Sequence, residues 1–133
     1  MKLSIYTDGG ARGNPGPAGI GVAIYDESGR LIKEISEYLG ITTNNQAEYR
    51  ALIKALEQAR ELGARELDCF LDSELVVRQL NHEYKVKNKD LAPLFLTVHN
   101  LALNFSKITY TLIPRERNAA ADKLANEAMD RAA

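Results

Sequence analysis

The chain has 133 residues, 45% hydrophobic and 26% charged, with 17 Lys and Arg against 18 Asp and Glu. That is one domain's worth of sequence, expected to fold as a single unit over residues 1–133; its apolar content excludes disorder, and its net charge of −1 argues against a nonspecific nucleic-acid coat. No charge-free stretch approaches the roughly 18 apolar residues of a membrane span, and the lone Cys69 excludes an internal disulfide or a cysteine-built zinc site and fits a reducing cytoplasm.

In chain order, Leu3–Thr7 reads as a short strand, and its apolar run stops at Asp8, too soon for a secretion signal. Gly9 to Gly19 is dense in Gly and Pro, the composition of a loop between two extended segments. Ile20, Val22 and Ile24 alternate with small residues, as in a half-buried strand. Asp26-Glu27-Ser28-Gly29 predicts a hairpin turn, and Leu31–Tyr38 the return strand. Thr43 and Gln46 have capping-box spacing, and Gly63 is placed to end the helix they start. Glu66–Leu71 is a strand, Glu74–Leu80 a short helix, and Asp90 to about Leu103 another helix with Pro93 in its first turn. Ile108–Ile113 is the last strand, and Asn118 caps a helix to about Arg131. Three antiparallel strands followed by alternating helices and strands imply a mixed α/β sheet with helices packed on it.

Four carboxylates stand out. Asp8 closes the first strand and Asp72 the fourth, and ligands gather at the carboxyl ends of strands in open α/β sheets. On a helical wheel at about 100° per residue, Ala51, Leu52, Ala55, Leu56, Ala59 and Leu62 fall within roughly 80° of Glu48. Glu48 thus occupies the middle of a core-facing stripe, with no Lys or Arg on that face. Asp122 lies on the margin of the last helix's apolar arc. Taken singly, Asp8 has the alternative of bonding turn amides, Asp72 that of capping a helix, and Asp122 is an ordinary margin residue. A buried, unpaired Glu48 is harder to dismiss, because its burial costs several kcal/mol. Four converging acids without basic partners repel one another. Divalent cations remove that conflict, and oxygen ligands suit Mg²⁺ or Mn²⁺. Two such ions about 4 Å apart are a device for phosphodiester cleavage.

Thr7-Asp8-Gly9-Gly10, Gly13-Asn14-Pro15-Gly16-Pro17, Thr42-Thr43-Asn44-Asn45-Gln46-Ala47-Glu48, Leu71-Asp72-Ser73 and Ala121-Asp122-Lys123-Leu124-Ala125 together resemble type 1 ribonuclease H, in that family's chain order from residue 3 to about 130. The resemblance implies a five-stranded mixed sheet in the order 3-2-1-4-5 with helices on both faces. It implies a monomeric endonuclease that cuts the RNA strand of RNA–DNA hybrids with two metal ions, leaving 5′-phosphate and 3′-hydroxyl ends. Asp8, Glu48, Asp72 and Asp122 match the family's metal ligands. Asn14, Asn44 and Asn45 match residues that reach the hybrid's minor groove, where 2′-hydroxyls mark RNA. Thr43 and Asn88 match a pocket for a DNA phosphate, with Lys85, Lys87 and Lys89 nearby.

Two departures qualify the match. Many members carry a histidine in a mobile loop before the last acid; here Pro114-Arg115-Glu116-Arg117-Asn118 fills a shorter loop, with Glu116 roughly at the histidine's place, either as a catalytic residue aiding product release or as a surface carboxylate favouring the N-terminus of the last helix. His82 and His99 lie elsewhere. Some members also have a basic, Trp-containing protrusion, whereas this chain has no Trp and passes from Leu80 through Asn81-His82-Glu83-Tyr84 to Lys85. The competing readings are a noncatalytic hybrid-binding module and a same-fold nuclease acting also on double-stranded RNA. A pure binder has no need of four uncompensated acids. The Gly-rich loop lacks the GK[ST] ending of a P-loop.

Overall fold

Period-two burial builds the first half of the chain. In the computed structural model, which describes residues 1–133, strands β1 (Lys2–Ala11), β2 (Gly16–Tyr25) and β3 (Leu31–Thr42) form an antiparallel meander. Leu3, Ile5 and Thr7 are buried on one face of β1, while Lys2, Ser4 and Tyr6 are half-buried on the other. The predicted turn at Asp26–Gly29 forms: the Asp26 carboxylate accepts the N–H groups of Ser28 (2.9 Å) and Arg30 (3.0 Å), and Gly29 takes a left-handed φ of 84°. Strands β4 (Glu66–Leu71) and β5 (Lys107–Leu112) add in parallel, giving the order β3-β2-β1-β4-β5.

Helices cover both faces. Helices α1 (Asn44–Glu61), α2 (Glu74–Leu80) and α3 (Ala92–Ala102) share one apolar core with Leu3, Ile5, Val22, Ile24, Leu67 and Leu71. Helix α4 (Ala119–Ala132) packs on the opposite face against β1, β2 and β3, burying Ala121, Leu124, Ala125, Ala128 and Met129. No helix is long and apolar enough to cross a membrane.

Several boundaries differ from expectation. Strand β1 runs to Ala11 rather than Thr7, so Asp8 lies within the strand and does not close it. The antiparallel ladder to β2 continues from Asp8↔Gly21 to Ala11↔Ala18, whereas the parallel ladder to β4 stops at Tyr6↔Phe70. Strand β3 extends to Thr42 because β2 supplies a partner that far, at Gly16. Helix α3 starts at Ala92, since the Asn88 side chain accepts the N–H groups of Asp90 (2.7 Å) and Leu91 (3.2 Å) and holds a turn there. Thr43 caps α1 through Gln46 N–H (3.3 Å), but the Gln46 carboxamide answers the Thr42 hydroxyl and leaves the capping box half-formed. Asn118 precedes α4 without any side-chain capping bond.

Two glycines set how closely the helices lie on the sheet. A Cβ on Gly9 would collide with the backbone carbonyl of Ala47 and come within 2.6 Å of Glu48 N. One on Gly21 would collide with the Ala121 carbonyl and reach 2.7 Å from Ala125 N. Neither backbone can yield without moving a helix. Gly21→Ala is therefore expected to destabilise the fold by about 1–3 kcal/mol through overpacking, read as a lowered urea midpoint at unchanged slope. Gly10→Ala serves as the tolerated control, since its Cβ meets nothing closer than Asn44 Oδ1 at 3.8 Å.

Candidate active site

Strand β4 ends at Leu71 while β1 continues beside it to Ala11, so the flank of β1 beyond Tyr6 has no strand against it. Side chains from both faces of the sheet meet in that gap. Asp8 comes from β1, Glu48 from the start of α1, and Asp72 from the residue after β4; their carboxylate oxygens lie within 4.8 Å of one another. Asp122, in the first turn of α4, borders the same cavity of about 400 Å³. Asp72 is free for this role because Ser73 caps α2, its hydroxyl accepting Val76 N–H.

The cluster is buried and short of positive charge. Glu48 is 7% exposed and Asp8 9%. Gly9 N–H donates to Glu48 Oε1 at 3.2 Å, and Glu48 Oε2 is buried with no partner. Burial, reinforced by the charge of Asp8, holds the Glu48 carboxyl well above the usual carboxylate range. Burial also raises Asp8 to about 7, with the charges of Asp72 and Asp122 acting in the same direction. The nearest cation is Arg115, whose Nη2 lies 3.5 Å from Asp122 Oδ1 on a side chain 79% exposed. An orphaned carboxylate oxygen among mutually repelling acids fits hard divalent cations, which take oxygen ligands. Asp8, Glu48 and Asp72 have the proximity to share such an ion, and Asp122 supplies a fourth carboxylate.

Asn118 is a site residue that the sequence reading placed elsewhere. It is buried, and its Nδ2 donates to Thr7 O (2.8 Å) and to Asp72 Oδ2 (3.2 Å). It thus ties the start of α4 to β1 and orients one acid. The residue after the 3₁₀ turn Arg115–Arg117 looks like any helix cap in sequence; no local signal distinguishes this role.

The asparagines form a row beside the acids. Asn14 Oδ1 accepts Asn44 N–H (3.1 Å), and Asn44 Oδ1 accepts Ala11 N–H (2.8 Å). Both carboxamide oxygens are occupied by backbone donors, which leaves the NH₂ groups to face a ligand. Asn44 and Asn45 border the acid cavity. Asn14, Thr43, Asn45 and Asn88 come together around a second cavity of about 190 Å³, which Asp90 also borders. Lys85, Lys87 and Lys89 are exposed in the segment between α2 and α3.

Glu116 is exposed and does not border the acid cavity, whereas Arg115 does. A 3₁₀ turn has about three residues per turn, so neighbouring side chains diverge by about 120°. The turn that brings Arg115 to Asp122 sends Glu116 to solvent. His82 and His99 are also exposed, and His82 rests edge-on against Phe95. A larger concavity, about 690 Å³, lies between Lys2, Tyr6, Tyr25 and Arg117, and contains the Lys2–Asp68 ion pair (3.2 Å); none of the four acids borders it.

Residues 6–128 match the family model described as reverse transcriptase-like. Over 134 residues the chain is 47% identical to a bifunctional protein of Mycobacterium tuberculosis, all of this chain matching 37% of that relative's length. The crystal structure of ribonuclease H1 from Halobacterium salinarum superposes with a TM-score of 0.96 at 39% identity, covering 98% of this chain and 99% of that one. The LC11 ribonuclease H1, isolated from compost and solved in complex with an RNA/DNA hybrid, superposes with a TM-score of 0.93 at 50% identity, covering 98% of each chain.

Two expectations follow from the geometry. Between the unfolded carboxylate value of 3.8 and about 7, native Asp8 keeps a proton that the unfolded chain has lost. The stability from this group is fully present below pH ~4 and is lost as pH rises through about 7. In metal-free buffer, Asp8→Asn should therefore melt close to wild type at pH 4 and increasingly above it toward pH 8. Excess Mg²⁺ should reverse the order at pH 8, and a pH-independent difference would contradict the assignment. Asn118→Ala should cost about 1–3 kcal/mol in urea unfolding, because a buried bond to Thr7 O and a half-buried one to Asp72 are lost at once.

Proposed function

Because the chain belongs to the ribonuclease H family, we propose that it hydrolyses the RNA strand of RNA–DNA hybrids as a metal-dependent endonuclease, leaving 5′-phosphate and 3′-hydroxyl ends. The observation that carries this reading is the convergence of four acids from four separate elements, none paired to a buried cation, next to a row of asparagines with free NH₂ groups. The hybrid-bound relative supports the choice of substrate. The mycobacterial relative is much longer than this chain, so the proposal concerns the activity of this domain.

Asp8, Glu48, Asp72 and Asp122 would hold two ions, Mg²⁺ or in its place Mn²⁺. When bound, such ions activate the attacking water and stabilise the leaving oxygen. In the reaction, the water oxygen bonds to phosphorus, the P–O3′ bond breaks, and O3′ departs as a hydroxyl. Asn118 keeps the Asp72 carboxylate aimed into the cavity through its 3.2 Å bond. Asn14, Asn44 and Asn45 offer donors to 2′-hydroxyls and groove acceptors, so that a strand lacking those hydroxyls is not placed over the acids. Thr43 and Asn88 would grip a phosphate of the DNA strand in the second cavity. Arg115, loosely paired with Asp122 and largely exposed, can swing its guanidinium from Asp122 to pair with the product phosphate as it leaves. Glu116 has no part in this mechanism.

The test is cleavage of end-labelled hybrid, double-stranded RNA and double-stranded DNA side by side, with and without Mg²⁺. Asp72→Asn should lose more than about 100-fold in rate while retaining its fold, since losing even a supporting partner of a metal ligand costs 10–100-fold. Arg115→Ala should lower multiple-turnover rates more than single-turnover rates, and Glu116→Gln should change neither. Full activity of Asp72→Asn in excess Mg²⁺ would overturn the reading. Hybrid binding by the wild type without cleavage would make the chain a recognition module.

A further inference from the structure

A strand of nucleic acid laid over four carboxylates needs cations along its path. Only Arg12 and Arg115 supply them at the edge of the acid cavity. Arg115 stands at Asp122, at the start of α4. Arg12 stands farther along the same helix: its Nη2 pairs with Asp130 Oδ1 at 2.6 Å and lies 3.5 Å from Asn126 Oδ1. Its backbone is fixed, because Arg12 N–H donates to Pro17 O at 2.8 Å and closes the turn between β1 and β2. Its side chain is not fixed. Arg12 is 44% exposed and Asp130 65%, and an ion pair so open to water contributes little to stability. A guanidinium has five N–H donors, and the fork suits phosphate oxygens better than a single carboxylate contact does.

Residues 122, 126 and 130 share one face of α4. At a rise of about 1.5 Å per residue, Asn126 and Asp130 lie roughly 6 and 12 Å from Asp122 along the axis. A nucleic-acid strand advances about 3.4 Å per nucleotide. We propose that Arg12 binds a backbone phosphate of the RNA strand within about four linkages of the one being cut, and that Asp130 and Asn126 hold its guanidinium until hybrid arrives. This rests on the hybrid-cleaving reading above. The RNA strand is the partner because Arg12 borders the cavity of the four acids and does not border the candidate DNA-phosphate cavity.

The test is hybrid binding by fluorescence anisotropy in Mg²⁺, in an Asp72→Asn background that leaves the hybrid intact, from 50 to 200 mM NaCl. Neutralising one phosphate contact changes the salt slope by about 0.9. Arg12→Ala should therefore reduce the slope by about one, with a loss of affinity about threefold greater at 50 mM than at 200 mM. Arg12→Lys should keep the slope, and melting temperatures should be unchanged. Asp130→Asn should tighten binding at 50 mM, and that gain should vanish when Arg12→Ala is added. In otherwise wild-type protein, one neutral methylphosphonate walked along the RNA strand should impair cleavage at a fixed offset, an effect absent in Arg12→Ala. An unchanged slope in Arg12→Ala overturns the proposal. So does an Asp130→Asn gain that survives loss of Arg12, or a methylphosphonate effect confined to the DNA strand. Absence of hybrid binding by the Asp72→Asn parent would remove the hybrid-cleaving reading itself, and this proposal with it.

Discussion

At Gly9 the backbone of α1 lies where any other residue would carry its Cβ, and at Gly21 the same is true of α4. These two close approaches place helices on opposite faces of the sheet at nearly one point, for Gly21 pairs with Asp8 and Gly9 follows it. One brings Glu48 beneath β1, where Gly9 N–H receives its carboxylate. The other brings Asp122 over β1 from above. Because β4 has ended by then, no strand separates the two faces, and acids that would otherwise lie on opposite sides of a sheet share one cavity. The geometry of the acids is thus set by backbone contacts, which are stiffer than side-chain rotamers.

The same arrangement works against stability. Asp8 and Glu48 are removed from water and from any buried cation, and both hold their protons above the normal range. A fold selected for stability alone would place a leucine at position 48, where the stripe of Ala51, Leu52, Ala55 and Leu56 demands one. The molecule instead retains an orphaned oxygen at Glu48 Oε2 and offsets it with the large core under α1. Under the proposed function, charge supplied from outside would remove the conflict and couple metal binding to the integrity of this region through linkage.

Sequence patterns revealed what local periodicity controls. Glu48 was legible because a helix of 3.6 residues per turn leaves no other place for it than the buried stripe. Short antiparallel connections and helical crossovers made a mixed sheet legible, while its strand order came from the resemblance to ribonuclease H. Asp8 was misplaced at a strand end because that end is set by the partner: β2 holds β1 to Ala11 although β4 does not. Asn118 was legible as a residue preceding a helix, yet its bonds go to Thr7 and Asp72, far away in sequence. Glu116 and Arg115 could not be separated, because one residue's rotation in a 3₁₀ turn decides which faces the cavity, and spacing alone does not set the entry angle of that turn.

The chain lacks a basic protrusion and carries a net charge of −1, yet its proposed ligand is a polyanion. The resolution lies in how its arginines are kept. Arg115 is paired with Asp122 and Arg12 with Asp130, and both arginines are well exposed. Exposed pairs gain little from their mutual attraction, so exchanging a carboxylate for a phosphate gives up little. A permanently unpaired basic rim would attract any nucleic acid and would compete with divalent cations for the acids. Paired arginines leave the field at the cavity dominated by the four carboxylates until ions enter. In the proposed function, ions that neutralise the acids would leave the charge of the arginines to favour a phosphate backbone. Metal loading and strand binding would then be coupled through Asp122 and Asp130, two carboxylates on one face of α4 that each hold an arginine, with no contribution from the protein's overall charge.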